Sequence, residues 1–177
     1  MSRTLISVDP GISNGVSVWG YSDTEPAKPI QVFQFRGGAE ALVEICRDLD
    51  GLFPDAHWIC EDFTARSTQD FSYTTASLEP LVGIGALVAM GLIDRSDRNQ
   101  MCAPPLQYFV PGKSKAEKKK AQHKWLKDHG LYVAPKDVDS PDSDDVRSSM
   151  AHAISWFRRQ KHLPTIRYYF PEGENHD

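Results

Sequence analysis

The sequence predicts an α/β domain on a mixed five-stranded sheet, three antiparallel strands followed by parallel ones, with helices on its flanks. Three observations carry that reading. Residues 5–9, 16–20 and 31–35 alternate apolar with polar or small side chains, the period of strands that bury a face. Residues 39–52 carry Ala41, Leu42, Ile45, Leu49 and Leu52 at helical spacing, so a helix crosses over the sheet. Residues 57–60, His-Trp-Ile-Cys, are a short apolar run, the mark of a strand buried on both faces. Reached through a helix, that strand is expected to lie parallel to the first.

The chain has 177 residues, 40% of them hydrophobic and 25% charged, which fits one globular domain with a real core. We expect that domain over residues 1–162 and a short tail over 163–177. Residues 1–3 lead straight into a strand without the apolar run of a signal peptide, and residues 78–93 are too short and too interrupted to span a membrane. Cys46, Cys60 and Cys102 are odd in number, widely spaced and lack zinc spacing. They read as reduced, buried thiols of a cytoplasmic protein.

The first stretch, residues 5–15, ends its strand on Asp9, and Pro10-Gly11 then turns the chain into a hairpin. After the third strand Gly37-Gly38 breaks the pattern, and Pro54 stops the crossover helix. The fourth strand also ends on acid, at Glu61-Asp62. Ligands of α/β sheets gather at the carboxyl ends of strands, so two strands finishing on carboxylates point to a shared site. A polar and aromatic loop follows, then a long helix expected over about residues 74–93. Its Gly83, Gly85, Ala86 and Ala89 allow close approach of another backbone, within this chain or across a homodimer. Residues 100–103 read as a fifth short strand before Pro104-Pro105.

The net charge of −4 hides a segregation. Lys113, Lys115, Lys118, Lys119, Lys120, Lys124 and Lys127 form one block, on a helix whose narrow stripe of Ala116, Ala121, Trp125 and Leu126 turns the lysines outward. Asp137, Asp139, Asp142, Asp144 and Asp145 form the next. Lysines that hold phosphates beside carboxylates that hold a metal are the parts of a metal-dependent nuclease. The last helix has Ser140 as N-cap and Pro141 as first residue, with Val146, Met150, Ile154 and Phe157 facing the core. Asp142 and Asp145, three apart, share a face near that stripe, while Asp144 points roughly the opposite way. Residues 166–170 read as an added strand or a partner contact.

An Asp-Pro-Gly hairpin, Glu after a buried strand, a lysine-rich helix and Asp-x-x-Asp opening a final helix occur in that order from about Thr4 to Phe157. This order resembles the RuvC-like Holliday junction resolvases of the RNase H-like superfamily, most closely the phage-encoded type. The resemblance implies an RNase H-like fold and an endonuclease that acts as a homodimer on four-way DNA junctions, in the host cytoplasm if phage-encoded. It implies Mg2+ or Mn2+, two ions per site, on Asp9, Glu61, Asp142 and Asp145, with Asp144 as the alternative to Asp142. Gln107 stands near where the bacterial enzymes carry a catalytic lysine, which leaves Lys113, Lys115 or Lys118 for that charge; Lys118 is the catalytic candidate. The aromatic that wedges junctions open falls after Glu61, with Phe63 and Phe71 as candidates. Phe63, Arg66, Phe71, Lys113, Lys115, Lys118 and Lys119 are then the expected DNA-binding residues.

Three other readings compete. A general branched-DNA or RNA-processing nuclease shares the same chemistry. Actin-like ATPases also end a first strand on an Asp-x-Gly hairpin, but need a second phosphate-binding hairpin that this chain lacks. A silent DNA-binding module gains nothing from acids placed beside DNA phosphates.

Overall fold

Alternation over the first 36 residues becomes three antiparallel strands: β1 (Arg3–Asp9), β2 (Ser13–Tyr21) and β3 (Lys28–Arg36). The structure is a computed structural model and describes residues 2–63, 74–102, 114–134 and 144–171. Helix α1 (Gly38–Leu52) crosses to β4 (His57–Glu61), which lies parallel to β1. Helix α2 (Thr75–Ala89) leads to β5 (Met101–Cys102), parallel to β4, and the sheet order is β3-β2-β1-β4-β5. Helices α3 (Lys115–Asp128), α4 (Asp144–Arg159) and α5 (Leu163–Tyr169) complete the described elements.

Strand periodicity sorts the core into two layers. Ile6, Val8, Val16, Val18, Trp58 and Cys60 join Leu42, Leu49, Ile84 and Leu87 beneath α1 and α2. Leu5, Trp19, Tyr21 and Ile59 join Met150, Ile154 and Phe157 beneath α4. That second face also carries polar groups. Ser7 is fully buried, and its hydroxyl donates to the Ser149 carbonyl at 2.8 Å, tying β1 to α4.

Local chemistry sets the junctions. Gly37 and Gly38 take left-handed φ values of 116° and 58° between β3 and α1. Glu79 of α2 accepts from the Ala39 amide at 2.8 Å, and a side chain on Gly38 would strike that carboxylate. Ser114 and Glu117 cap the start of α3 reciprocally, and Gly130 with φ 68° follows its end.

Two elements differ from the sequence reading. Helix α2 ends at Ala89, not near residue 93: the apolar pattern runs on through Leu92 and Ile93, but Gly91 at φ 74° turns the chain first. Residues 163–169 form a helix where a strand or partner contact was expected, because Pro164 suits a helix start and the helix has a core to dock on. The Thr165 hydroxyl accepts from the Ala27 amide at 2.7 Å, and Tyr169, 2% exposed, donates its hydroxyl to the Ala27 carbonyl. The core therefore continues past residue 162.

Candidate functional site

Asp9 and Glu61 reach one place through register. In the parallel β1/β4 pair Val8 lies opposite Cys60, so the next residues, Asp9 and Glu61, leave the strands side by side. Asp9 shares parity with Leu5 and Ser7, and Glu61 with Ile59, so both face α4. Asp62 takes the other parity and is exposed. The row continues through the antiparallel strands, where Asp9 pairs with Gly15 and Gly15 with Gln34.

Helix α4 lays its first turn over that row. A Cβ on Gly15 would stand 2.1 Å from the Asp145 carbonyl carbon and oxygen, so the missing side chain is what admits the helix. Gln34, 5% exposed, fixes the contact: its Nε2 donates to Asp145 Oδ2 at 2.8 Å, and its Oε1 accepts from the Val146 amide at 2.7 Å. That amide is one of the donors a helix start leaves without an internal partner. Asp145 is thereby brought to the strand-end acids, close enough for its charge to act on Asp9.

The electrostatics are those of crowded acids. Burial pushes the Asp9 carboxyl well above the usual carboxylate range, and the neighbouring charge of Glu61, a hydrogen bond with it and the charge of Asp145 push the same way. A hydrogen bond with Ser148 opposes them. His152, 1% exposed, places Nε2 3.2 Å from Glu61 Oε2. Asp145, Ser148 and His152 thus form a polar stripe on α4, at spacings that share a helix face.

Asp144 goes elsewhere. It pairs with Lys119 of α3 and with Arg147, while His123 stands 3.6 Å away. The Arg147 guanidinium lies over the Tyr132 ring at 4.9 Å. This network ties α3 and the segment after it to α4, and it occupies Lys119 in an ion pair. Lys118 is half-buried on α3. Phe63 is half-buried and packs on the layer beneath α1 and α2. Asp142, Arg66, Phe71, Gln107, Lys113, Ser140 and Pro141 lie outside the described residues, and Lys115 is described by its backbone alone.

The sequence reading missed Gly15 as the helix seat, and Gln34, Ser148 and His152 altogether. The stripe Asp145–Ser148–His152 was open to detection at helical spacing. Gln34 was not, because its partner lies 111 residues away.

The donor set fits a hard divalent cation. Asp9, Glu61 and Asp145 are carboxylates from three elements, the oxygen ligands that Mg2+ and Mn2+ take. Among the described residues no three such side chains already converge as a cage around one point. Asp9 and Glu61 instead share a hydrogen bond, the arrangement acids adopt when a proton, not a cation, relieves their repulsion.

A mixed sheet of this order, with its helices and an acid ending each of β1 and β4, is the RNase H-like fold in its RuvC form. Thermus thermophilus RuvC superposes with a TM-score of 0.53 over 90% of this chain and 98% of its own, at 13% identity. T. thermophilus RuvC in complex with a Holliday junction substrate superposes at 0.55 over 90% and 97%, at 11% identity. The likeness is one of fold. No family model matches the sequence, and no curated protein does.

Proposed function

We propose that this chain is a metal-dependent endonuclease that cuts branched DNA, with four-way junctions as its preferred substrate. The observation that carries the reading is that Asp9, at the carboxyl edge of the parallel strands, lies within electrostatic reach of both Glu61 and Asp145, acids from two other elements. It is supported by the shared fold with a RuvC whose solved complex holds a Holliday junction substrate.

Asp9, Glu61 and Asp145 are the acids that would hold the ions, with Asp142 as the fourth ligand. Bound there, Mg2+ or Mn2+ supplies an activated water and neutralises charge on the phosphorus oxygens. The chain's own part is placement. Ser148 fixes Asp9, Gln34 fixes Asp145, and partial burial keeps the acids in surroundings where charges act more strongly than in water. Lys113, Lys115 and Lys118 are the candidates to meet the scissile phosphate, with Lys118 the first choice. Lys119, Arg66 and the remaining lysines would hold flanking phosphates, and Phe63 or Phe71 would open the junction. The exposed Val82, Gly85, Val88 and Ala89 of α2 support a homodimer, which would set two sites on two strands of one junction. No helix among the described residues is long and apolar enough to cross a membrane, and a cytoplasmic setting agrees with that.

The test offers purified protein synthetic four-way junctions, forks, flaps and RNA–DNA hybrids, with Mg2+ or with EDTA. Paired symmetric cuts near the crossover, present with Mg2+ and lost in Asp9→Asn while junction binding persists, are expected. Wild-type cleavage by the Asp9→Asn protein sinks the site; preferential cutting of RNA–DNA hybrids sinks the substrate.

A further inference from the structure

His152 is a buried polar group that faces Glu61 and that the proposed chemistry does not yet use. It sits on α4 two turns beyond Asp145 and is 1% exposed. Its Nε2 stands 3.2 Å from Glu61 Oε2, off the line of a good hydrogen bond, and neither ring nitrogen has a hydrogen-bond partner among the described residues. Ala151 and Ala153 on either side of it in the helix are fully buried, so this part of α4 lies within the core. Native cores rarely keep such a group without a reason in the site it faces. The tautomer follows from the surroundings. A hydrogen on Nε2 points a donor at the carboxylate and leaves Nδ1 a bare lone pair. The opposite tautomer sets a lone pair against the carboxylate and buries an orphaned N–H.

We propose that His152 is a positioning residue for metal binding: its Nε2–H holds Oε2 of Glu61 and leaves the other oxygen for the ion. The inference rests on the metal-site reading above and adds a residue to it. Histidine acts here through Glu61, without touching ion or DNA. Partners behind metal ligands fix the ligand's orientation, and their loss typically weakens metal binding about 10- to 100-fold.

The test measures Mn2+ binding to the full chain, by titration calorimetry and by the spin resonance of free Mn2+, for wild type, His152→Met and His152→Gln. Methionine keeps the volume and removes the donor, so affinity is expected to fall about 10- to 100-fold. Glutamine returns an amide N–H near the Nε2 position and is expected to recover affinity to within about three-fold of wild type. Equal Mn2+ affinity in all three proteins, with only the melting temperature in EDTA changed, overturns the positioning role and leaves the metal site standing. Absence of Mn2+ binding by wild type overturns both. Nitrogen modulation in the spin echo of bound Mn2+, lost in His152→Gln, makes the imidazole a direct ligand and also overturns the positioning role. If the methionine variant does not fold, His152→Asn, whose amide is too short to reach Glu61, replaces it.

Discussion

The two faces of the sheet come from the same strands and the same alternation, yet one is an apolar layer and the other ends in the candidate site. Beneath α1 and α2 the side chains are Ile6, Val8, Val16, Val18, Trp58 and Cys60, closed by leucines and isoleucine of the helices. Toward α4 the same strands send Ser7, Asp9, Ser17 and Glu61 among Leu5, Trp19 and Ile59. Each polar group on that face that bears on the site meets one from α4: Ser7 meets the Ser149 carbonyl, Asp9 meets Ser148, Glu61 meets His152. The α1/α2 layer therefore supplies stability. Helix α4 is at once the lid of a core and half of a site, and its position serves both.

That contrast can be broken at four places. The largest effect is expected from Asp9→Asn, with cleavage of a four-way junction reduced about 1000-fold, near 4 kcal/mol in the barrier. Metal-free stability should move the other way. The Asp9 carboxyl is raised above its ordinary value of 3.8, so the folded state favours its proton. The wild type is then most stable below that value and loses stability as pH rises toward the folded-state value. Asparagine keeps a donor for Glu61 and has no charge to lose. Melting curves in EDTA at pH 7 should therefore place the variant above wild type. A variant that melts lower would show that ionised Asp9 is tolerated without metal.

Leu42→Ala probes the other face. Leu42 is fully buried against the core beneath α1 and α2, and its truncation should cost about 3 kcal/mol in urea unfolding. Mn2+ affinity of the folded fraction should stay within about two-fold, since Leu42 packs on the sheet face opposite the acids; a larger loss would join the two faces energetically.

Gly15→Ala falls between the two. The new methyl meets the Asp145 backbone, so α4 must shift, at about 2 kcal/mol and roughly ten-fold in cleavage. Cleavage at the wild-type rate would mean that the helix start is placed by other contacts.

Asp144→Asn should do least. Burial pushes the Asp144 carboxyl up, but hydrogen bonds from Lys119 and Arg147 outweigh it and hold the group below its ordinary range. Its contribution is present above the ordinary value and lost as pH falls through the depressed one. The side chain is 25% exposed, so the cost at neutral pH is about 1 kcal/mol or less, measured by thermal melting. Junction cleavage should be unchanged; a loss comparable to that of Asp9→Asn would make Asp144 part of the site.

Strands and their order were legible because alternation and short apolar runs are local signals. Asp9 and the Glu61-Asp62 pair followed from their places at strand ends, with the resemblance choosing Glu61, and the opposed directions of Asp144 and Asp145 followed from spacing along a helix. The rest depended on what lies across the fold. Gly15 reads as a turn glycine until the helix above it is known, and Gln34 reads as the polar half of an edge strand. His152 shares a helix face with Asp145 and Ser148 by spacing alone, but its partner Glu61 lies on a distant strand that no local pattern reveals. Thr165, Ile166, Tyr168 and Tyr169 carry strand propensity, and docking against Ala27 overrode it.

The three cysteines give the chain an intrinsic record of its own opening. Burial pushes the Cys46 thiol up to about 12 and raises those of Cys60 and Cys102, so in the closed molecule none offers the thiolate that alkylating reagents attack. Cys46 and Cys60 belong to the layer beneath α1 and α2, and Cys102 to the layer beneath α4. The order in which brief alkylation labels them tells whether the halves breathe together or in sequence, with no engineered probe.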